Sequence, residues 1–561
     1  MQQKKIVEIK VCKHCNSSFD ITDKDLEFYD KISPIFNGVK YNIPSPTLCP
    51  DCRQQRRLSL RNERKLYKRK CDFSGKDIVS IYSPDKPYKV YGQEIWLGDK
   101  WNPLEYGKDF NFGKTFFKQF EELNNNVPKL SIRTMPDMEN CQYCNNGFGS
   151  KSCYMCCTPI NSENCYYTHT SINCYNDIDG LFNVGNQFCY NSVQSNENYN
   201  CSFIFYSHNC KNSFFLNDCV NCEDCFGCVN LNNKKYCFLN EQLNQEEYQN
   251  KISTIEINQF KENFNKFAEN FPKPYTRGTN FSNCTGDFIV NCDNCLNSFG
   301  IIDLKDSNYC YNVGIGSENI YDCVHVGPAN NCLESATIAG TTNSLFSLDT
   351  KDSYNVFYCH SCSNVKNCFG CFGIRDKSYC ILNKQYTKEE YEKLVPKIIE
   401  HMKKTGEWGE FFPSSISPFG YNETVANEYF SLTKENALKK GFKWSDYESP
   451  FPKVKKIIPA SKLPDNISQI PDDILNWAIE CEVTKKPFRI IKQELDFYRK
   501  HNLPIPKRHP DQRHLDRMAL RNPRKLFDRK CDKCGKDIKT TYSSERLEIV
   551  YCEDCYNKEV Y

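Results

Sequence analysis

Cysteine recurs at a fixed spacing in the middle of this chain. The cysteines that lie nine residues apart are Cys156, Cys165 and Cys174, and then Cys201, Cys210, Cys219, Cys228 and Cys237. A fixed period in which Asn often precedes Cys predicts a β-solenoid, a stack of similar turns built from short strands. We expect the cysteines to point inward, where a small soft side chain stacks well. We expect Asn at the corners, where it tolerates left-handed backbone and can hydrogen-bond between turns.

The solenoid pattern occupies two blocks, residues 131–245 and 280–383. Cys225-Phe226-Gly227-Cys228 in the first block recurs as Cys368-Phe369-Gly370-Cys371 in the second. A Glu-Glu-Tyr segment follows each block and predicts a helix that caps the stack, since an open edge invites further strand pairing. Residues 246–279 are accordingly interpreted as a helical cap and linker.

Paired cysteines near both ends predict structural zinc sites. Two CxxC knuckles supply four thiolates to one tetrahedral Zn²⁺, and the ion replaces a core that so small a unit cannot build. The eight predicted ligands are Cys12, Cys15, Cys49 and Cys52 near the N-terminus, and Cys531, Cys534, Cys552 and Cys555 near the C-terminus. The expected cofactor is therefore Zn²⁺, as two structural ions.

The first of these segments resembles a short bacterial family called "probable zinc-ribbon" proteins. The resemblance rests on Phe19, on the Phe28-Tyr29 pair and on Cys49-Pro50-Asp51-Cys52-Arg53, and it covers about residues 7–58. It implies a zinc ribbon or treble-clef-like unit and no particular activity. Through that knuckle, the CFGC motifs and Ser417–Thr424, the whole chain resembles uncharacterised cysteine-rich zinc-ribbon proteins of bacteria with reduced genomes, which also implies no activity.

The two ends of the chain are duplicates of each other. Residues 49–91 align without gaps onto residues 509–551. The duplicated unit is interpreted as two tandem ribbons, which gives an N-terminal module at residues 1–110 and a C-terminal module at residues 476–561. One ribbon of each module keeps only one cysteine of its four ligand positions. The remaining positions carry Ser74, Gly92 and Ile95 beside Cys71, and Thr484, His509 and Gln512 beside Cys481. We therefore predict two zinc ions rather than four.

A basic segment lies between the ribbons of each module. A cationic helix on a zinc ribbon can bind phosphate, so these segments indicate contact with RNA or DNA, directed mostly at the backbone. The alternative is a solvated face that keeps a small ribbon soluble, with some arginines paired to acids. The predicted nucleic-acid-binding residues are Arg53, Arg56, Arg57, Arg61, Arg64, Lys65, Arg521, Arg524 and Lys525.

Composition narrows the class of protein. The chain has 36 cysteines in 561 residues, and its N-terminus lacks the apolar stretch of a secretory leader. Reduced thiols in a cytoplasm fit this combination better than a secreted disulfide scaffold. A formal net charge of +3 says nothing about partners, and no apolar run predicts a membrane span.

The rest of the chain adds few signals. Residues 384–450 predict helix and loop, and residues 451–475 predict a Pro-rich linker. Further CxxC pairs inside the solenoid leave extra metals or an iron–sulfur cluster open as an alternative to stacking. No catalytic motif stands out, and the solenoid histidines His169, His208, His325 and His360 are interpreted as surface residues.

The sequence thus predicts a mainly β fold with α-helices, in which terminal zinc-ribbon modules flank a two-block, Cys/Asn-rich, β-helix-like solenoid with helical caps. The function favoured is a non-enzymatic zinc-binding scaffold whose basic helices contact nucleic acid or a ribonucleoprotein. The alternatives are a protein-interaction scaffold with a partner on the solenoid face, and a β-helix enzyme that acts on glycans.

Overall fold

The computed structural model describes residues 5–135, 137–314, 316–451 and 453–560. The fold is mainly β with some helices, and a β-solenoid of about 19 turns lies between four-cysteine groups near the two termini, as the sequence predicts. Met1–Lys4 of the predicted N-terminal module, Pro452 of the predicted linker and Tyr561 lie outside the described residues. Of the helices in the described ranges, none is long and apolar enough to cross a membrane.

The first solenoid block is a nine-stranded sheet whose strands follow one another in space as they do in the chain. Neighbouring strands are parallel, apart from the last pair, which is antiparallel. The strands are Cys157–Ile160, His169–Ile172, Leu181–Val184, Tyr190–Val193, Ser202–Phe205, Phe214–Asn217, Phe226–Val229, Cys237–Phe238 and Glu241–Gln242.

The second block is a fourteen-stranded sheet that also ends in an antiparallel pair. Its strands are Gly278–Ser282, Gly286–Asp293, Ser298–Ile302, Leu304–Lys305, Tyr311–Val313, Ser317–Tyr321, Val324–Val326, Ala329–Leu333, Ala336–Ile338, Thr341–Leu345, Tyr354–Phe357, Lys366–Phe369, Ser378–Ile381 and Lys384–Gln385.

Most solenoid turns have 12 residues, and a few in the second block have 11 or 13, so the nine-residue cysteine spacing is not the length of a turn. Ser202 pairs in register with Phe214, and Phe214 with Phe226. The backbone repeats in triplets, because every third residue has a positive φ. Successive examples are Asn200, Phe203, Tyr206 and Asn209, with φ of 53°, 58°, 53° and 54°. Four triplets make one turn. Two cysteines nine residues apart therefore lie three triplets apart, so the second is in the next turn but one triplet short of the position directly above the first.

The triplet repeat explains why the cysteines stack inside. Each triplet turns one side chain inward, and the inward residues of two turns are all fully buried. These residues are Cys201, Ile204, Ser207, Cys210, Ser213, Leu216, Cys219 and Cys222. The thiol of Cys219 donates to the carbonyl oxygen of Cys228 in the next turn at 3.4 Å. The predicted inward cysteines are therefore confirmed, with their S–H groups satisfied by backbone.

Asparagine takes the role that the sequence predicts for it. Asn343, Asn355 and Asn367 all have positive φ and lie one turn apart. The amide of Asn343 donates to Oδ1 of Asn355, and the amide of Asn355 to Oδ1 of Asn367, both at 3.0 Å. These ladders tie successive corners together.

Helices cap the end of each block, as predicted. Gln245–Ser253 follows the first block and Lys388–Thr405 the second. Each begins with a capping box, which satisfies free N–H groups of the first turn. The buried tyrosine of each Glu-Glu-Tyr segment, Tyr248 or Tyr391, packs against a tyrosine of the last turn. A second helix, Ile257–Ala268, continues the first cap.

The terminal modules keep the duplicated pattern in their elements. The N-terminal module and the segment that follows it contain strands Ile6–Val11, Ser18–Thr22, Ile35–Phe36, Val39–Lys40, Tyr67–Lys70, Asp77–Ser80, Val90–Tyr91 and Lys129–Leu130, and helices Asp23–Ile32, Pro50–Leu58, Gln93–Leu97, Pro103–Tyr106 (3₁₀) and Phe116–Asn126. The C-terminal module contains strands Pro487–Phe488, Phe527–Lys530, Asp537–Thr540 and Val550–Tyr551, and helices Lys492–Lys500, Pro510–Ala519 and Glu553–Val560.

Two further segments join these parts. After the second cap come the helices Val425–Tyr429 and Lys434–Lys439 and the 3₁₀ turns Ser414–Ile416 and Tyr421–Glu423. Strand Lys273–Pro274, between the two solenoid blocks, pairs with strand Val550–Tyr551 of the C-terminal module. The C-terminal module is thereby attached at the junction of the blocks.

The segment at residues 451–475, predicted to be a Pro-rich linker, carries regular structure in its described residues. Strand Lys456–Pro459 pairs in parallel with strand Trp477–Glu480. The 3₁₀ turns Ala460–Lys462, Ile467–Gln469 and Asp472–Asn476 follow it. Ile467 and Ile474 are buried in one core with the C-terminal module. The prolines interrupt regular structure, but the apolar residues between them hold the segment against the module.

Candidate metal centres

The N-terminal knuckles bring four cysteines together. Cys12 begins a turn in which its carbonyl accepts a hydrogen bond from the N–H of Asn16, a residue in left-handed conformation. Cys49 is the N-cap of helix Pro50–Leu58, whose first turn carries Cys52. The Sγ atoms of all four cysteines lie within 4.8 Å of one another. Those of Cys15 and Cys49 are 3.6 Å apart.

The C-terminal knuckles form a group of the same kind. Gly535, with φ of 76°, closes the first turn, and its N–H donates to the carbonyl of Cys531. Cys552 and Cys555 lie at the start of helix Glu553–Val560. The four sulfurs again lie within 4.8 Å of one another, and those of Cys534 and Cys552 are 3.7 Å apart.

Both groups match the donor set of a structural zinc site. A tetrahedron with Zn–S bonds of about 2.3 Å separates its sulfurs by about 3.8 Å. Hydrogen bonding to Cys52 lowers the pKa of Cys49 to about 5. Burial raises the pKa of Cys531, but backbone N–H groups of Cys552 and Cys534 outweigh it and lower that pKa to about 6. Each site therefore favours a thiolate at neutral pH, which is the form that binds metal.

The two degenerate ribbons, which contain Cys71 and Cys481, keep the turn that follows the first cysteine but lack the other three cysteine ligands. The N–H groups of Ser74 and Gly92 donate to Sγ of Cys71 at 3.5 and 3.3 Å. In the intact ribbon the N–H of Cys552 donates to Sγ of Cys531 at 3.2 Å. In the described ranges, neither Cys71 nor Cys481 belongs to a group of three or more close ligand atoms. The degenerate ribbons thus stay folded by hydrogen bonding and packing.

The solenoid cysteines form stacks rather than metal clusters. Among the described residues, Cys157 is the one solenoid cysteine whose sulfur belongs to a group of close potential ligands. The run Cys219, Cys222, Cys225 and Cys228 is buried in a core of cysteine, leucine and isoleucine. The structure therefore favours stacking over additional cysteine-bound metals.

The arginines of the basic segments are mostly buried or paired, so they do not form the cationic helix face from which the sequence predicts nucleic-acid contact. Arg53 and Arg57 of helix Pro50–Leu58 are buried against Asp322 of the second block, with ion pairs of 2.9 and 3.3 Å. Arg57 also reaches Glu334 of that block at 3.2 Å.

The neighbouring arginines are also paired or covered. Arg56 bridges Glu334 and Glu410, Arg61 pairs with Glu63, and Arg64 lies near Asp511. In the C-terminal copy, Arg521 and Arg524 donate to the hydroxyl of Tyr429. Of the nine predicted nucleic-acid-binding residues, only Lys525 is exposed, and the half-buried Lys65 pairs with Asp511. The alternative interpretation from the sequence, in which the arginines are paired to acids, applies to most of these nine residues.

The duplicated helix of the C-terminal module docks in the same way on the other block. Arg513 and Arg517 pair with Asp179 of the first block at 2.7 and 2.9 Å. The chain is therefore crossed, with the N-terminal module on the second block and the C-terminal module on the first.

Sequence reasoning missed both of the aspartates that receive these arginines. Asp179 and Asp322 stand in corresponding turns of the duplicated blocks, which is the signal that could have identified them.

A buried cluster of histidines and acids lies where these parts meet, contrary to the prediction of surface histidines. His169 comes from the first block and His514 from helix Pro510–Ala519, and both are buried. Nε2 of His169 lies 3.3 Å from Oε2 of Glu63, and Nε2 of His514 lies 3.2 Å from Oε2 of Glu428.

Comparison with known proteins does not assign this chain to a family. No family model matches the chain, and no curated protein matches it. Among solved structures, one described as a "putative acetyltransferase from Desulfovibrio desulfuricans G20" is 11% identical, with a TM-score of 0.08. That match covers 44% of this chain and 61% of the other, so the chain spans less than two thirds of it.

Proposed function

We propose that this protein is a non-catalytic zinc-binding scaffold, in which two structural Zn²⁺ ions hold the terminal modules as clamps on the β-solenoid. The observation that carries this proposal is the pair of four-cysteine groups with tetrahedral sulfur spacing.

The positions of the groups support the role of clamps. Cys49 and Cys52 lie at the start of the helix that carries Arg53 and Arg57 to the second block. A Zn²⁺ ion at these cysteines orients the beginning of that helix. Val550–Tyr551, which pairs with the segment between the blocks, directly precedes Cys552. Each ion therefore stabilises a ribbon at a contact between a module and the solenoid.

The test is the zinc content of purified full-length protein, measured by native mass spectrometry. Cys15→Ser and Cys534→Ser each lower the zinc content by one ion. The matched controls are Cys71→Ser and Cys481→Ser in the degenerate ribbons, which leave the zinc content unchanged. Zinc content that is the same in all four variants, or iron in place of zinc, contradicts the proposal.

Partner binding is the second part of the proposal, and the solenoid offers an exposed row for it. Residues one turn apart on the first block present both charge signs and two exposed tyrosines, a composition suited to a protein partner. The row is Glu139, Lys151, Glu163, Tyr175, Gln187, Tyr199 and Lys211. Lys151 separates Glu139 from Glu163, so this row lacks the aligned carboxylates that the glycan-enzyme alternative needs.

Nucleic-acid binding is the remaining alternative. It now depends on Lys65 and Lys525, because the arginines beside them are covered. A gel shift of structured RNA or duplex DNA at low salt, weakened by Lys65→Glu and Lys525→Glu together, would support it. The scaffold proposal expects no shift that responds to these two substitutions.

A further inference from the structure

We propose a third metal centre, formed by His169, Glu428 and His514, that takes one divalent first-row transition ion such as Zn²⁺. One potential ligand atom from each of the three side chains lies within 4.8 Å of the others. Two imidazoles and one carboxylate are a donor set that proteins use for such ions. This centre is independent of the two cysteine sites and shares no ligand with them.

The second observation is that these buried side chains lie close to carboxylates but leave polar atoms without a hydrogen bond: Nε2 of His169 is 3.3 Å from Oε2 of Glu63, outside the proposed ligand set. His169 and His514 are each 2% exposed, and neither ring nitrogen of either residue makes a hydrogen bond. Oε2 of Glu428 is likewise buried without a hydrogen bond. Burying polar groups without hydrogen bonds is unfavourable, so a group of such atoms around one point favours an ion that ligates them. An ion between them satisfies all three at once.

The surroundings fit a metal ligand set rather than a hydrogen-bonded triad. The rings of His169 and His514 lie against each other with centroids 5.3 Å apart, so both imidazoles border the same buried space. Glu63 lies behind His169, and such a carboxylate orients a metal-bound imidazole through its second nitrogen. The side chain of Glu428 is 16% exposed, which leaves an entry for the ion and for a water ligand.

The corresponding position of the N-terminal module shows that His514 occurs in only one of the two duplicated helices. His514 aligns with Gln54, which is also fully buried on helix Pro50–Leu58. In the described part of the chain, Gln54 has no group of close ligands around it. The helix therefore tolerates a buried glutamine at this position, and the histidine adds metal-binding capacity without being required for docking.

The position of the centre defines its role. His169 belongs to the first block, Glu428 to the short helix Val425–Tyr429 beyond the second block, and His514 to the C-terminal module. An ion there cross-links three segments that are distant in the chain. It locks the C-terminal module and the segment after the second block onto the first block.

The experiment gives metal-free full-length protein two equivalents of Zn²⁺ per chain, which the four-thiolate sites bind in preference to a histidine–carboxylate centre, and then adds Co²⁺. We expect one Co²⁺ per chain by native mass spectrometry, with visible d–d absorption and no thiolate-to-cobalt charge-transfer band. The absence of bound Co²⁺ overturns the proposal. A charge-transfer band also overturns it, because that band would place Cys157 among the ligands, in the neighbouring group with Glu63 and His169.

Variants provide the second test. His514→Gln copies the residue of the other helix, and Glu428→Gln keeps the shape of the side chain. Both lose the added Co²⁺ while zinc in the cysteine sites is retained. The control His208→Gln alters a solenoid histidine outside the cluster and keeps the Co²⁺. Retention of Co²⁺ by a folded His514→Gln protein contradicts the assignment, and the spectrum of the wild-type protein tests the ligand set even if a variant is unstable.

Discussion

Arg53 and Asp322 form an ion pair of 2.9 Å in which both side chains are buried, and this pair joins the N-terminal module to the second solenoid block. Its counterpart is the pair of Arg513 and Asp179 at 2.7 Å, which joins the C-terminal module to the first block. The duplicated modules therefore dock on duplicated turns by the same chemistry.

Removing one partner of this contact should strongly destabilise the protein. Asp322→Ala leaves Arg53 and Arg57 buried with less compensation, and breaking a buried pair costs about 3–5 kcal/mol. Urea unfolding of the full chain measures this change. The control Lys70→Ala removes a pair with Asp77 whose side chains are 67% and 85% exposed, and should cost less than about 1 kcal/mol. Equal losses in the two variants would mean that Asp322 does not hold the module.

A buried carboxyl group inside the first block should make stability depend on pH. Asp177 accepts from Asn183 at 3.0 Å and from Ser192 at 3.3 Å, and burial raises its pKa from 3.8 to about 7. The folded state thus retains a proton that the unfolded chain loses. The stabilising contribution is complete below about pH 4 and is lost as pH rises through about 7.

The isosteric variant Asp177→Asn removes this titration. We expect the free energy of unfolding of the wild-type protein to fall between pH 5 and pH 8 relative to that of the variant, by up to about 1 kcal/mol per pH unit. Urea unfolding at a series of pH values measures the difference. Parallel pH profiles would show that Asp177 is already ionised in the fold.

The corner asparagines contribute both a backbone conformation and a ladder of amides. Asn355→Ala loses the hydrogen bonds with Asn343 and Asn367 and places alanine at a positive φ, which costs about 1–2 kcal/mol for the backbone alone. Asn355→Gly loses the same hydrogen bonds without that strain. We expect thermal unfolding to rank the wild type above the glycine variant and the glycine variant above the alanine variant. A glycine variant less stable than the alanine variant would refute the conformational role.

Chelation of zinc should loosen the modules and leave the solenoid intact. Structural zinc contributes directly to the folding of a small ribbon, whereas the stacked turns have their own core. Hydrogen exchange after removal of zinc should increase at residues 5–58 and 527–560 and stay slow in strands Ser202–Phe205 and Val324–Val326. Equal exchange increases throughout the chain would instead indicate that the ions hold the entire fold.

Local sequence patterns determined much of this protein. The four-cysteine groups could be predicted because the two cysteines of each CxxC knuckle lie within one turn of the backbone. Cys12 and Cys531 belong to the groups that this pattern indicates. The repeated Asn-Cys positions predict a solenoid with cysteines inside. The nine-residue spacing did not reveal the 12-residue turn, because both are multiples of the triplet and only pairing between strands distinguishes them.

Only the tertiary structure decided what the charged and imidazole side chains do. In the sequence, Arg53 and Arg57 look like part of a cationic surface, because their partners Asp322 and Glu334 are far away in the chain. His169, Glu428 and His514 have no common spacing that a motif could show. The cysteine sites could be predicted because their ligands come in local pairs. The crossed docking and the histidine cluster could not, because burial and pairing between distant segments depend on how the solenoid blocks and modules fold against one another.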